Sequence, residues 1–355
     1  MRQRIRYLRT PDGIQLAWAE VGAGPLLVKA SNWLTHLEYD LESPVWQHWI
    51  RFFADHFRYV RYDERGCGMT DWEVGDLSLD LWVDDLEAVI DAADAREPVA
   101  LLGISQGAAA CIGYATRHPE RVSRMILYGG YARGYMHRGN PDLEREYAAM
   151  IELFELGWGR ENPAFRQVFT SRFIPAGTPE QVAWFNDLCL KTTTPRIARE
   201  LMLMRGRLNV IELLDKVRVP TLVIHAREDN VVPLAEGRFL ASHISNAQFI
   251  ELESKNHVLL ESEPAWARFQ EVVLEFLLGK TAVGEGDAFA TLSPREREVL
   301  ALITEGLANV EIGERLSISE KTVRNHLSSI FDKLGVWTRA QAMVFARDHR
   351  FQQHS

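Results

Sequence analysis

Along this 355-residue chain short apolar runs alternate with stretches of helical spacing, and the alternation stops twice. Residues 4–20 alternate around Pro11-Asp12-Gly13, which predicts a hairpin. The apolar runs at 26–30, 57–62, 99–102, 122–127, 219–225 and 248–252 suit strands of a parallel sheet, buried on both faces. Helical spacing follows at 46–57, at 79–93 with Leu81, Leu86, Val89 and Ile90 on one side, after Gly107, and at 264–278. Strands separated by helices predict a mostly parallel sheet flanked by helices. Between 129 and 217 the strand rhythm gives way to a helical, aromatic stretch broken by Pro141, Pro163, Pro175, Pro179 and Pro195. Its rings build a small helical core, line an apolar pocket above the sheet edge, or divide between the two.

The second break lies at 280–290, a Gly- and Ala-containing linker. Beyond it Ser293, Pro294 and Glu296 mark a helix start. Helices are expected at 295–305, 309–316 and 320–334, with a fourth beginning near Thr338. Ser317-Ile318-Ser319 joins the second to the third, and Ser319 caps the third, a helix-turn-helix layout. The chain therefore reads as a sheet domain over 1–280 with a cap at about 131–215, a linker at 281–290, and an all-helical domain over 291–355.

Charge sharpens this division. The net charge is −9, but from Phe289 onward nine Lys/Arg face eight Asp/Glu, leaving −10 on the first 288 residues. A nucleic-acid surface, if there is one, belongs to the tail. Cys67, Cys111 and Cys189 are odd in number and widely spaced, which predicts free thiols in a reducing cytoplasm rather than disulfides or a zinc site. No run of eighteen apolar residues and no apolar leader is visible, so neither a membrane span nor secretion is expected. Nothing calls for a metal or other cofactor.

The chemistry concentrates after three predicted strands. Gly103-Ile104-Ser105-Gln106-Gly107 between a strand and a run of small residues is a nucleophile elbow, a turn so tight that positions 103 and 107 cannot carry bulk. Asp229 follows the strand at 219–225, and His257 follows the strand at 248–252. The chain order Ser, Asp, His is the one that lets all three meet at one sheet edge. Glu228 is an alternative to Asp229, and His257 could instead be an ordinary loop residue.

With the turn Asp63-Glu64-Arg65-Gly66-Cys67-Gly68-Met69-Thr70, the Val232-Pro233 loop and Asn256-His257, residues 1–280 resemble the α/β-hydrolase family. The resemblance implies Ser105 as nucleophile, His257 as general base and Asp229 as the carboxylate that orients it. It implies an oxyanion hole formed by the backbone N–H groups of Trp33 and Gln106. The chain departs from the family there: Lys29-Ala30-Ser31-Asn32-Trp33 replaces the usual His-Gly, with Asn32 where glycine is expected. Asn32, His36, Trp158, Phe173 and Trp184 are the pocket candidates. An aromatic, acidic cap suggests an apolar or aromatic ligand, uncharged or cationic.

In the tail, Leu292-Ser-Pro-Arg-Glu-Arg-Glu-Val-Leu, Glu305-Gly-Leu-Ala-Asn309 and Ile318-Ser-Glu-Lys-Thr-Val-Arg-Asn-His326 resemble the DNA-binding domain of LuxR-type bacterial regulators, over about 291–348. Val310 stands where that family often has Lys. The resemblance implies that helix 320–334 enters the major groove with Val323, Leu327 and Ile330 turned to the core. Arg324, Asn325 and Ser328 would read base edges, while Lys321, Thr322 and Lys333 would contact phosphates. His326 either reaches phosphate or packs. Double-stranded DNA with a two-fold site, a homodimer using the fourth helix, and a small-molecule ligand are the implied partners. The expectation is a transcriptional regulator whose sensor binds, with or without cleaving it, an ester, lactone or related acyl compound. The alternative is a serine hydrolase with a DNA-binding appendage.

Overall fold

The computed structural model describes residues 3–279, 289, 292–334 and 339–348. The chain divides into two compact units between Gly279 and Lys280. The linker expected at 281–290 lies outside the described residues apart from Phe289.

In the first unit, β1 (Arg4–Arg9), β2 (Gln15–Val21), β3 (Leu26–Lys29), β4 (Arg58–Tyr62), β5 (Val99–Ile104), β6 (Val122–Tyr128), β7 (Thr221–Ala226) and β8 (Ala247–Leu252) form one sheet. Its order is β1-β2-β4-β3-β5-β6-β7-β8. The β1–β2 and β2–β4 pairs are antiparallel and the rest parallel. The hairpin and every expected strand are present within two residues of their predicted ends. Leu101, Leu102, Leu127, Val223 and Ile224 are wholly buried, because helices cover both faces of a parallel sheet.

The elbow sits at the end of β5, in the middle of the sheet. Ser105 is held at φ +54°, a left-handed conformation that few non-glycine residues adopt and that marks a strained, functional position. The helix Gly107–Arg117 departs at once. A Cβ on Gly103 would stand 2.7 Å from Ala108 Cα, and one on Gly107 would stand 2.9 Å from the Ser31 carbonyl oxygen. Both neighbours are backbone and cannot swing aside. Gly103→Ala is therefore expected to lower stability by about 2 kcal/mol through overpacking, read as a lowered urea midpoint. An unchanged midpoint would mean that the turn is looser than this.

The cap is helical, with Pro141–Gly157, Ala164–Thr170, Pro179–Thr192 and Pro195–Arg207. Pro141, Pro179 and Pro195 open helices rather than break them, each preceded by a capping Asn140, Thr178 or Thr194. Proline is tolerated there because the first N–H of a helix has no intrahelical partner.

The second unit packs the helices Pro294–Thr304, Asn309–Leu316, Glu320–Leu334 and Arg339–Asp348 around Val299, Ile303, Ile312, Val323 and Ile330. Ser293 and Glu296 form the capping box of the first helix. Ser317, at φ +53°, turns the chain into the third. The Ser319 hydroxyl accepts the Thr322 N–H at 3.1 Å, which is the expected cap.

Candidate functional site

The loops after β5, β7 and β8 bring three side chains to the carboxyl edge of the sheet. The site builds outward from Asp229, which is 7% exposed. Its Oδ1 accepts the N–H groups of Val231 (2.8 Å) and Val232 (2.9 Å). Its Oδ2 lies 2.6 Å from His257 Nδ1. Burial pushes the Asp229 carboxyl up, but His257, His225 and the Val232 N–H outweigh it and hold the pKa below the usual value. Glu228 is exposed, so of the two acids it is Asp229 that faces His257.

His257 is 1% exposed, and its N–H and that of Val258 bond the carbonyl of Phe173 in the cap, at 2.8 and 3.2 Å. The Phe173 ring packs edge-on against the imidazole at 5.4 Å. Among the described residues His257 Nε2 has no hydrogen-bond partner. A Cβ on Gly129 would stand 3.0 Å from His257 Cε1, and one on Gly130 would stand 3.6 Å from the Ser105 carbonyl oxygen. Those two glycines after β6 thus leave the space in which the serine and histidine loops approach each other. A serine on a strained elbow and an imidazole backed by a buried carboxylate, carried by neighbouring loops at one sheet edge, have the parts of an activated nucleophile, although no hydrogen bond joins the Ser105 hydroxyl to His257 among the described residues.

A second imidazole, that of His225, lies close to the same carboxylate. It is fully buried on β7, with Nε2 2.9 Å from the Val232 carbonyl oxygen and 3.7 Å from Asp229 Oδ2. Burial lowers its pKa, so a neutral imidazole shares the carboxylate with His257.

Ser105 borders a small cavity of about 40 Å³. Trp33, Gln106 and Phe173 line it, as do Tyr131, Arg138 and Arg205. Of the five pocket candidates only Phe173 faces it. Asn32 is turned into a buried polar cluster, accepting from Lys29 Nζ and donating to the Trp33 carbonyl at 2.9 Å. Burial lowers that lysine to about 8. Asn32 also avoids positive φ. His36 accepts the Tyr39 N–H. Trp158 is core, donating to the Thr193 carbonyl and packing on Trp33 at 5.6 Å. Trp184 stacks on Tyr39 at 4.9 Å and borders a separate outer depression.

The expected oxyanion donors are not both free. In the amide orientation that satisfies its neighbours, Gln106 Oε1 accepts the Trp33 N–H at 2.5 Å and Arg205 Nη2 at 3.2 Å. The Gln106 side chain therefore occupies the donor that its own backbone was expected to share with Trp33. The lining also departs from the expected uncharged or cationic preference, since its charged groups are two guanidiniums and no carboxylate. Arg138 and Arg205 carried no motif. The cap was expected to be acidic, but residues 131–215 hold eleven Lys/Arg and eleven Asp/Glu, so nothing in the sequence marked these two arginines out from the other cations.

In the second unit, the helix Glu320–Leu334 exposes Lys321, Arg324, Asn325 and Ser328, half-buries Thr322 and His326, and buries Val323, Leu327 and Ile330. This is the amphipathic division expected of a helix with one free face. Lys333 is a correction: rather than standing free for phosphate, its ammonium bonds both oxygens of Glu296, at 2.8 and 2.7 Å. A buried carboxylate at that point needs a cation.

Comparison with known proteins agrees with this division. A family described as serine aminopeptidase, S33, matches residues 46–264, and one described as bacterial regulatory proteins, luxR family, matches residues 290–346. The AB hydrolase superfamily protein YisY of Bacillus subtilis is 26% identical, the match covering 71% of this chain and 91% of that protein. The regulatory protein LiaR of the same organism is 32% identical over 38% of this chain and 64% of its own length. An esterase from Exiguobacterium antarcticum superposes with a TM-score of 0.64 at 21% identity, over 76% of this chain and 98% of its own. That likeness establishes the fold. Among the described residues no helix is long and apolar enough to cross a membrane.

Proposed function

The chain belongs to the α/β-hydrolase family and carries a LuxR-type DNA-binding domain behind it, and from that premise we propose that it is a transcriptional regulator whose first unit captures a small acyl compound, an ester or lactone, at Ser105. The observation that carries this reading is the buried Asp229–His257 pair, whose outer nitrogen has no partner among the described residues, at the same sheet edge as a serine held at φ +54°. Ser105 acts as nucleophile, His257 takes its proton, and Asp229 fixes the imidazole tautomer. The engaged Trp33 N–H favours a receptor over a fast enzyme, because a preorganised oxyanion hole needs its donors free for the developing charge. A ligand must displace the Gln106 amide before both N–H groups can serve.

The second unit binds duplex DNA as a dimer on a two-fold site, with Lys321, Thr322, Arg324, Asn325, His326 and Ser328 on the exposed side of the reading helix. Capture of the ligand governs DNA affinity to the extent that it binds one arrangement of the dimer better than the other.

The experiment selects duplexes from a random library with the full-length chain, then measures affinity before and after Ser105 is phosphonylated by a fluorophosphonate standing in for an acyl ligand. Affinity for the selected duplex is expected to change at least fivefold in the wild type and not in Ser105→Ala. A chain that prefers no duplex over random sequence, labelled or not, returns the protein to the alternative, a serine hydrolase with an appendage. On the selected site Arg324→Ala is expected to cost about 2 kcal/mol, roughly thirtyfold, and to relax preference at one base pair. Lys321→Ala should weaken all sequences alike and reduce the salt slope by about 1.

A further inference from the structure

We propose that the cavity over Ser105 selects acyl compounds that bear a second, anionic carboxylate, held by Arg205 and Arg138. This rests on the reading of that cavity as the ligand site and names the class of ligand it takes.

Arg205 comes from the end of the helix Pro195–Arg207 and is 7% exposed. Its guanidinium lies 4.2 Å from the Trp33 ring centroid, and Nη2 donates to Glu64 Oε2 at 2.7 Å. Nε and Nη1 have no partner among the described residues. A guanidinium cannot shed its charge. Donors left unmet in a region of low dielectric carry a standing penalty that a ligand oxygen would remove. Arg138, whose side chain is 9% exposed, borders the same cavity and stands 5.2 Å from the Tyr131 ring. Its Nε donates to the Arg133 carbonyl at 3.1 Å.

The local balance of charge is positive. The carboxylates paired with these cations are Glu64 on Arg205 and Glu236, which Arg133 and Arg138 share at 3.2 and 3.9 Å. Three guanidiniums thus face two carboxylates, in a cavity whose own lining carries no acid. Tyr131, Tyr135 and Tyr147 add hydroxyls and apolar walls to the same lining, which suits a ligand with a short apolar body and a charged end.

A purely structural Arg205, there only to pin Trp33, would also be buried and stacked. It would not leave two of its three nitrogens unmet at the rim of a cavity. The two roles separate by experiment, since loss of a structural arginine weakens all ligands together and leaves their ratio unchanged.

The test is titration calorimetry of the full-length chain with phenylacetate, isovalerate and succinate, each against its neutral amide. At least one acid is expected to bind ten times more tightly than its amide. That preference should fall below threefold in Arg138→Gln and in the double variant Glu64→Gln/Arg205→Gln, which removes both members of the buried pair so that neither charge is stranded. Equal binding of acid and amide, no binding of any acid, or a preference unchanged in both variants would overturn the proposal. Fluorophosphonate labelling of Ser105, run alongside, keeps the two readings apart. Labelling without acid preference leaves the nucleophile standing and removes the anion subsite, and acid preference without labelling does the reverse.

Discussion

Alanine at His257 is expected to slow fluorophosphonate labelling of Ser105, and any turnover of p-nitrophenyl butyrate, by about 10³-fold or more. A serine hydroxyl is too weak an acid to attack at neutral pH unaided, and His257 Nε2 is the base that no other described residue engages. Asp229→Asn should cost about 10²–10⁴ for a different reason, because the amide offers a donor where the imidazole N–H needs an acceptor. The Val231 and Val232 N–H groups would still fix that side chain, so the defect is expected without loss of stability. Since the carboxyl of Asp229 is held below its ordinary range, it stays ionised through the mildly acid region, and a loss of reactivity there comes from elsewhere in the site. Labelling of His257→Ala at the wild-type rate would remove the nucleophile reading, because no other base is placed to replace it.

What could be read from the chain and what could not divides along a physical line. Patterns that act within a few residues were legible. The elbow needs small residues at 103 and 107 because backbone lies on the other side of each, and the prolines of the cap mark helix starts because φ and the missing N–H suit that position. The helix-turn-helix was legible for the same reason: its caps at Ser293 and Ser319 act over three residues. The features missed depend on partners far away in sequence. Arg205 meets Glu64 and Gln106 only because the cap folds over the sheet edge, and no spacing encodes that. Four of the five pocket candidates were aromatic or polar residues of the β3 loop or the cap helices whose side chains turn another way. The sign of the cavity went wrong because the cap was read as acidic, although its eleven Asp/Glu and eleven Lys/Arg cancel over 131–215, and because the charged groups that line the cavity are Arg138 and Arg205.

Lys333 shows the same limit in the second unit, and it leads to the other large effect. Glu296→Ala is expected to destabilise that unit by about 3 kcal/mol, more than any exposed substitution on the reading helix. The carboxylate is almost fully buried and accepts four hydrogen bonds from three groups. It caps the Ser293 N–H at 2.7 Å, takes the Ser329 hydroxyl at 2.6 Å, and receives Lys333 on both oxygens. Lys333 is itself 37% exposed, so solvent reduces its share, and most of the loss comes from the cap and the buried hydroxyl. Burial alone would raise the Glu296 pKa, but Lys333, Ser329 and the Ser293 groups outweigh it and hold it at about 2. A carboxyl depressed in the folded state stabilises above its ordinary value near 4.5, and that contribution is lost as pH falls from there towards 2. Hydrogen exchange of the full-length chain, corrected for intrinsic rate, should therefore show faster opening of 294–304 and 320–334 in the variant at neutral pH, by about 100-fold. In the wild type the same segments should loosen only below pH 4.5. Lys333→Ala should reproduce a small part of this opening and leave the salt dependence of DNA binding unchanged. A reduced salt slope in that variant would instead place its ammonium on the phosphate backbone.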